Sequence, residues 1–264
     1  MIDGGQSLKG QPPMRTFVLG DIHGAYRGLR QCFERCGFDS QKDRLIVLGD
    51  VCDGWSEVKE CIDLLLTIRY LDCILGNHDE WALRWAEEGF QDRDWLSQGG
   101  SGTLRSYDHK PMPSSHAQFL KKAQRFLVLE RRLFVHAGYD PRKTMVEQTA
   151  EDLLWDRRFL ARAIEQHTVN PKFRFGDYDE IYVGHTPTTL LQNTIPQQFC
   201  NVWMLDTGAG WHGKLTIMDI QSKEYWQSDL IPPLYPFEQG RGVPSQRRPF
   251  PPEQESPSSE RKSQ

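Results

Sequence analysis

Long apolar runs are missing from this 264-residue chain. No stretch approaches the roughly 20 apolar residues that a membrane-spanning helix requires, so no membrane partner is expected. The first residues also lack the basic-then-apolar order of a secretory leader. Strong charge of one sign is missing too. A net charge of -4 provides no global attraction for polyanions, and general nucleic-acid binding is not expected. Cysteine is scarce, and the six present (Cys32, Cys36, Cys52, Cys61, Cys73 and Cys200) include no CxxC pair and no disulfide-like spacing. They read as buried free thiols, with reduced cytoplasm as the expected setting. There is no internal repeat, and nothing in the chain speaks to oligomeric state.

The ends differ from the middle. Residues 1–14 are rich in Gly, Gln and Pro and are expected to be flexible. From residue 236 to 264 the composition turns to Pro, Gln, Ser, Glu and Arg, with too little apolar surface to offset the entropy of ordering it. That tail is expected to be disordered. Residues 15–235 then form one domain, long enough to bury a substantial core.

Within that span a pattern recurs: a short run of Val, Ile, Leu and Phe stops at a polar cluster, usually one with glycine. Phe17-Val18-Leu19 leads into Gly20-Asp21-Ile22-His23-Gly24, and Leu45-Ile46-Val47-Leu48 into Gly49-Asp50-Val51-Cys52-Asp53. Cys73-Ile74-Leu75 leads into Gly76-Asn77-His78-Asp79, and Leu133-Phe134-Val135 into His136-Ala137-Gly138. Ile181-Tyr182-Val183 leads into Gly184-His185-Thr186-Pro187, and Trp203-Met204-Leu205 into Asp206-Thr207-Gly208. Such short continuous runs suit strands buried on both faces. Helical spacing joins Leu29, Cys32, Phe33 and Cys36, with Gly37 as terminator. It also joins Val58, Cys61, Ile62, Leu65 and Ile68, with Ser56 as N-cap. Residues 79–88 and 149–164 read as further helices, and 215–220 with 224–227 as an antiparallel hairpin. The fold class is α/β.

Loops at the carboxyl ends of parallel strands converge on one edge of a sheet. Here that edge collects Asp21, His23, Asp50, Asp53, Asn77, His78, His136, His185 and Asp206. One strand-end Asp alone is weak evidence, because Asp commonly caps turns and helices. Such clusters recurring along one chain are a strong signal. Carboxylates, imidazoles and an amide oxygen suit manganese, iron or zinc. Two divalent ions roughly 3.5–4 Å apart can clamp a phosphoryl group and activate a water.

These clusters resemble the signature of the phosphoprotein phosphatase branch of the calcineurin-like metallophosphoesterases. Four later pieces are similar to the bacteriophage lambda-type protein phosphatases: His136-Ala137-Gly138-Tyr139, Trp155-Asp156-Arg157, Gly184-His185-Thr186-Pro187 and Asp206-Thr207-Gly208-Ala209. The resemblance spans residues 17–220 or so. It implies two mixed β-sheets packed face to face and flanked by helices. It also implies that Asp21 and His23 bind a first metal, Asn77, His136 and His185 a second, and Asp50 both. Manganese is the metal expected first, with iron, zinc, nickel or magnesium as substitutes. His78 would protonate the leaving group, Asp53 would tune its imidazole, and Arg157 would hold phosphate oxygens.

Two departures stand out. The family's second motif continues Asp-Arg-Gly, whereas this chain reads Asp53-Gly54-Trp55. Lambda-type relatives also place an arginine where this chain has Leu75. With two phosphate-clamping guanidiniums gone, diesterase activity is expected to be unusually high relative to monoesterase activity. Trp55 is a candidate substrate contact, with a packed hydrophobic plug as its other reading. Trp81 and Trp85 read as core or groove wall, residues 97–102 as a loop or linker, and His109, His116 and His167 as surface residues. His212 reads as a loop residue.

The expected activity is metal-dependent hydrolysis of phosphate esters, including phosphoprotein and possible diester substrates. A hydrolase of dinucleoside polyphosphates or nucleotide diesters shares the motif set. A catalytically weak metal-binding interaction module is the reading from another class, and the intact His78 and Asp53 argue against it.

Overall fold

The computed structural model describes residues 14–242, and over that span the apolar runs become strands whose side chains alternate between layers. In chain order the strands are β1 (Thr16–Leu19), β2 (Arg44–Val47), β3 (Tyr70–Cys73), β4 (Phe126–Leu129) and β5 (Arg132–Val135). They continue with β6 (Glu180–Val183), β7 (Gln197–Phe199), β8 (Val202–Met204), β9 (Thr216–Asp219) and β10 (Tyr225–Gln227). One sheet has the order β10-β9-β1-β2-β3 and the other β4-β5-β6-β8-β7. Each has a parallel centre, β1-β2-β3 or β5-β6-β8, completed by antiparallel strands.

Alternation explains why single residues of one strand belong to different cores. Phe17, Leu19, Leu45 and Val47 face one outer layer. Leu133, Val135, Ile181, Val183, Val202 and Met204 face the other. The intervening Val18, Ile46, Phe134, Tyr182 and Met218 meet between the sheets. There the Phe134 and Tyr182 rings stack with centroids 4.9 Å apart.

The helices are α1 (Tyr26–Cys36), α2 (Val58–Leu65), α3 (Asn77–Glu88), α4 (Arg93–Trp95), α5 (Ser101–Ser106), α6 (Ser114–Lys121), α7 (Ala150–Leu154), α8 (Arg158–Val169) and α9 (Ile231–Leu234). Helix α1 ends at Gly37 in the left-handed region (φ 59°), as its sequence requires. The α2 start differs from expectation: Glu57 is the N-cap, and Ser56 Oγ instead donates to Glu238. The stretch read as one helix over 149–164 is two, because Trp155-Asp156-Arg157 turns the chain between α7 and α8. Strand β3 ends at Cys73, one residue into the expected run, and Arg44 on β2 pairs with its Asp72. Strands β4 and β7 were not legible in the sequence, being short and half-exposed.

Residues 1–13 and 243–264 lie outside the described residues, so the expectations for them are not addressed. The boundary drawn at 235 is corrected. Within 236–242, Glu238 and Arg241 contact the domain: the Glu238 carboxylate accepts from Ser56 N (3.0 Å) and Oγ (2.7 Å), and Arg241 N–H donates to the Gly210 carbonyl (2.9 Å). None of the described helices is long and apolar enough to cross a membrane.

Candidate metal centre

The carboxyl ends of the parallel strands in both sheets meet at one place. Asp21 and His23 follow β1, Asp50 and Asp53 follow β2, and Asn77 and His78 follow β3 at the start of α3. From the second sheet come His136 after β5, His185 after β6 and Asp206 after β8. All are at least 95 % buried. Four of them, His23 (φ 51°), Asp50 (φ 50°), Asp53 (φ 69°) and His185 (φ 62°), hold left-handed backbone. For residues with a Cβ this costs about 1–2 kcal/mol each, a strain that collects at functional sites. Two glycines make room for the carboxylates. A Cβ on Gly76 would lie 2.1 Å from Asp50 Oδ1, and one on Gly184 2.1 Å from Asp21 Oδ1.

Hydrogen bonds set the tautomers. His23 Nδ1–H donates to the Cys52 carbonyl (3.1 Å) and His136 Nδ1–H to the Leu48 carbonyl (2.8 Å), which leaves each Nε2 with a lone pair. His23 Nε2 lies 3.5 Å from Asp50 Oδ2 and 4.0 Å from Asp21 Oδ2. His136 Nε2 lies 3.4 Å from Asp50 Oδ1 and 3.0 Å from Asn77 Oδ1, which His185 Nδ1 also approaches at 2.9 Å. Two donor groups result, Asp21-His23-Asp50 and Asp50-His136-His185, with Asp50 common to both. The buried Asp21 Oδ1 and Asp50 Oδ2 have no hydrogen-bond partner among the described residues. Unpaired carboxylate oxygens beside neutral imidazole lone pairs are the donor chemistry that divalent cations require.

The local electrostatics agree at most of these groups; His136 is the exception, where, against the effect of burial, Asp50 raises the imidazole. Burial, then the charges of Asp206 and Asp50, push Asp21 well above the usual carboxylate range. Burial and a facing carboxylate likewise raise Asp206, to about 6. Burial, then Arg241, lowers His23 to about 3. Burial also drives His185 down, with Arg157 assisting. Asp50 behaves oppositely: against burial, the imidazoles of His136, His78 and His23 hold it well below its usual value. Its Oδ1 also accepts the His78 N–H (3.0 Å) at the start of α3, where a helix favours negative charge.

His78 stands next to the donor groups without joining either. Its Nδ1–H donates to Asp53 Oδ2 at 2.7 Å, while its buried Nε2 has no partner among the described residues. Burial pushes Asp53 up, and donors from Thr103 Oγ1 (2.7 Å) and Trp95 Nε1 (2.9 Å) counter it. Arg157 feels the charges of Asp206, Asp50 and Asp21, and its buried Nε also lacks a partner among the described residues. Half-buried Trp81 and Trp155 meet edge to face at 4.9 Å, beside His78 and His185 respectively.

The site therefore brings together every expected ligand, with His78, Asp53 and Arg157 close by. Trp55 is corrected. It is 1 % exposed, stacks on Tyr235 (5.0 Å) and donates Nε1–H to the Ala209 carbonyl, so it offers no face to a substrate. His116 is also corrected: it is buried between Tyr107 Oη (2.8 Å) and Asp63 (3.0 Å). His167 is half-buried and accepts from Cys200 N–H, while His109 and His212 are exposed. All six cysteines are buried free thiols. Sequence reasoning missed three supports. Asp79 accepts the N–H groups of Val51, Cys52 and Gly76, tying the Asp50 loop to the turn before α3. Trp95 and Thr103 were missed because nothing local links them to Asp53.

Candidate donors for two metals, with His78 and the Arg157 guanidinium beside them at the strand ends of paired sheets, suit metal-dependent phosphoester hydrolysis. The comparisons agree. The chain belongs to the calcineurin-like phosphoesterases, whose family model matches residues 14–213. It is 30 % identical to the serine/threonine-protein phosphatase 1 of Salmonella typhimurium, over 82 % of this chain and 96 % of that one. It is also 30 % identical to a symmetrical bis(5'-nucleosyl)-tetraphosphatase of Dechloromonas aromatica, over 61 % of this chain but only 54 % of that one. A crystal structure of a putative diadenosine tetraphosphatase shares the fold (TM-score 0.60, 16 % identity), covering 81 % of this chain and 92 % of that one. The sequence reading of family, phosphatase branch, fold class and enzyme class is borne out. Members of this family use two divalent metals, and this chain carries candidate residues for them.

Proposed function

We propose that the protein hydrolyses phosphomonoesters, phosphorylated protein among them, at a centre holding two manganese ions. The observation that carries this reading is the pair of donor groups joined at Asp50, with the unpartnered His78 Nε2 beside them. Asp21, His23 and Asp50 would hold one ion, and Asp50, Asn77, His136 and His185 the other. Bound, the ions supply Lewis acidity and an activated water. Arg157 orients the phosphoryl oxygens through charge-assisted bonds. His78 delivers a proton from Nε2 to the departing oxygen, and Asp53 holds the imidazole by its Nδ1–H. The near-full-length likeness to a serine/threonine phosphatase supports a phosphoprotein substrate. The buried free thiols support a reduced, cytoplasmic setting.

One feature favours a second substrate class, the dinucleoside polyphosphates. The partly exposed Trp81 and Trp155 present aromatic surface beside the centre, where a base can stack. A tetraphosphatase relative supports it over part of the chain.

The test compares a phosphopeptide, an aryl monoester, an aryl diester and diadenosine tetraphosphate with added manganese, alongside metal analysis of wild type and Asp50→Asn. Wild type is expected to bind two ions and to lose activity on chelation, and Asp50→Asn to bind fewer. A metal-loaded wild type that cleaves none of the four would leave only the interaction-module reading.

A further inference from the structure

Arg241 belongs to the segment whose composition reads as a solvated tail, yet its side chain is half-buried and reaches the metal centre. The chain returns there through specific contacts. Arg241 N–H donates to the Gly210 carbonyl (2.9 Å), and Gly242 N–H closes a turn onto Gln239 (2.9 Å). The guanidinium then passes over the Trp211 ring at 4.2 Å. Its Nε approaches the Gln98 carbonyl (3.3 Å), and its Nη1 the His23 Nε2 lone pair (3.3 Å). Neither partner carries a full negative charge.

Gly54 makes this seat. A Cβ there would lie 3.3 Å from Arg241 Cγ, 3.0 Å from His23 O and 3.2 Å from His23 Cβ, on backbone with φ 94°. The position that lacks a guanidinium of its own is thus filled from the far end of the chain.

Charge decides what Arg241 is for. Arginine stays protonated even when buried, and an unpaired buried charge is costly. Arg241 and Arg157 face the same carboxylates, Asp21, Asp50 and Asp206, and repel each other. If divalent ions take up those carboxylates and the His23 Nε2 lone pair, the Nη1 prong of Arg241 is released from His23, and both guanidiniums then face added positive charge and need an anion. A phosphoryl group, with several acceptor oxygens and about two negative charges, meets that need.

We propose that Arg241 is a substrate-binding residue that holds phosphoryl oxygens together with Arg157, so that the 238–242 segment is part of the active site. This rests on the phosphoesterase reading above. It also removes half of the argument for unusual diester preference, since the charge missing at Gly54 is present.

The test uses the full chain, loaded with manganese, as wild type, Arg241→Ala and Arg241→Lys. Metal content, inorganic phosphate binding by calorimetry and rates on matched aryl mono- and diesters are measured. Arg241→Ala is expected to keep its metals, to weaken phosphate binding about 10- to 100-fold, and to lose more kcat/KM on the monoester than on the diester. Arg241→Lys should recover only part of the loss, because an ammonium cannot form the two-pronged contact. Unchanged or tighter phosphate binding by Arg241→Ala overturns the proposal, tighter binding marking Arg241 as a plug. If Arg241→Ala fails to fold, a folded Arg241→Lys with wild-type phosphate affinity and ester ratio overturns it equally. A metal-loaded wild type that neither binds phosphate nor cleaves esters would instead defeat the functional reading itself.

Discussion

His78 and Asp50 are neighbours in space with opposite demands on their protons. In the proposed mechanism Asp50 stays ionised to serve two cations, and the imidazoles around it together with the start of α3 favour that state. In the same mechanism His78 gives up a proton from Nε2. Burial pushes the ring well below its usual value and so disfavours the charged form, while the bond to Asp53 fixes the ring with Nε2 free of partners among the described residues. Replacing His78 by Asn should keep both metals and lower kcat by roughly 10²–10⁴-fold, the usual contribution of general acid–base catalysis. The deficit should shrink on esters whose leaving group needs no proton. Metal analysis with kinetics on a graded leaving-group series checks this, and loss of a metal would reassign His78 as a ligand. These two residues were legible in the sequence because strand, turn and ligand are contiguous. Asp79 was less so, since its three backbone partners only come together once the β2 loop meets α3. Asp79→Asn places a donor amide among those N–H groups, and a fall of about 10- to 100-fold in metal affinity is expected from the loosened support. Competition with a chelator of known affinity measures it.

Among the elements, the loop from β2 to α2 does most to shape the centre. It carries Asp50 and Asp53 toward the donors and sends Trp55 the other way, into the core under Tyr235. Trp55→Ala is therefore expected to act on stability, at about 3–5 kcal/mol for a large buried aromatic, with any loss of activity shared equally by aryl and non-aryl esters. Thermal unfolding and two substrate series distinguish this from selective loss of aryl binding, which would restore Trp55 as a substrate contact. The helix after β5 was read as continuous because its apolar spacing is helical on both sides of the break. What stops it is the turn at Trp155-Asp156-Arg157, where Asp156 accepts the Arg158 N–H and so begins α8.

At the scale of the molecule, two sheets face each other so that both sets of parallel strand ends deliver donors to one place, and a returning C-terminal segment covers it. Truncation after Phe237 removes both Glu238 and Arg241. It should lower the melting temperature modestly and abolish most of the further rise that added phosphate produces in the full chain. Truncation after Gly242 keeps every contact described here and should retain that rise. Equal phosphate-induced shifts in all three proteins would show that 238–242 does not serve the site. The sequence alone determined which residues are candidate donors, in what order they occur and at which strand ends they sit. Those signals are local: an apolar run, a glycine turn and a ligand fall within about ten residues. Tertiary structure decided everything that joins distant residues without a local pattern. It set the face-to-face pairing of the sheets, the burial of Trp55 and the seating of His116 against Asp63. It also decided the approach of Arg241 to His23 across 218 residues of chain. Composition classed the segment around Arg241 as solvated because it averages over many polar residues. A single guanidinium is held by a few specific contacts and a space left by Gly54, which only the folded chain brings together.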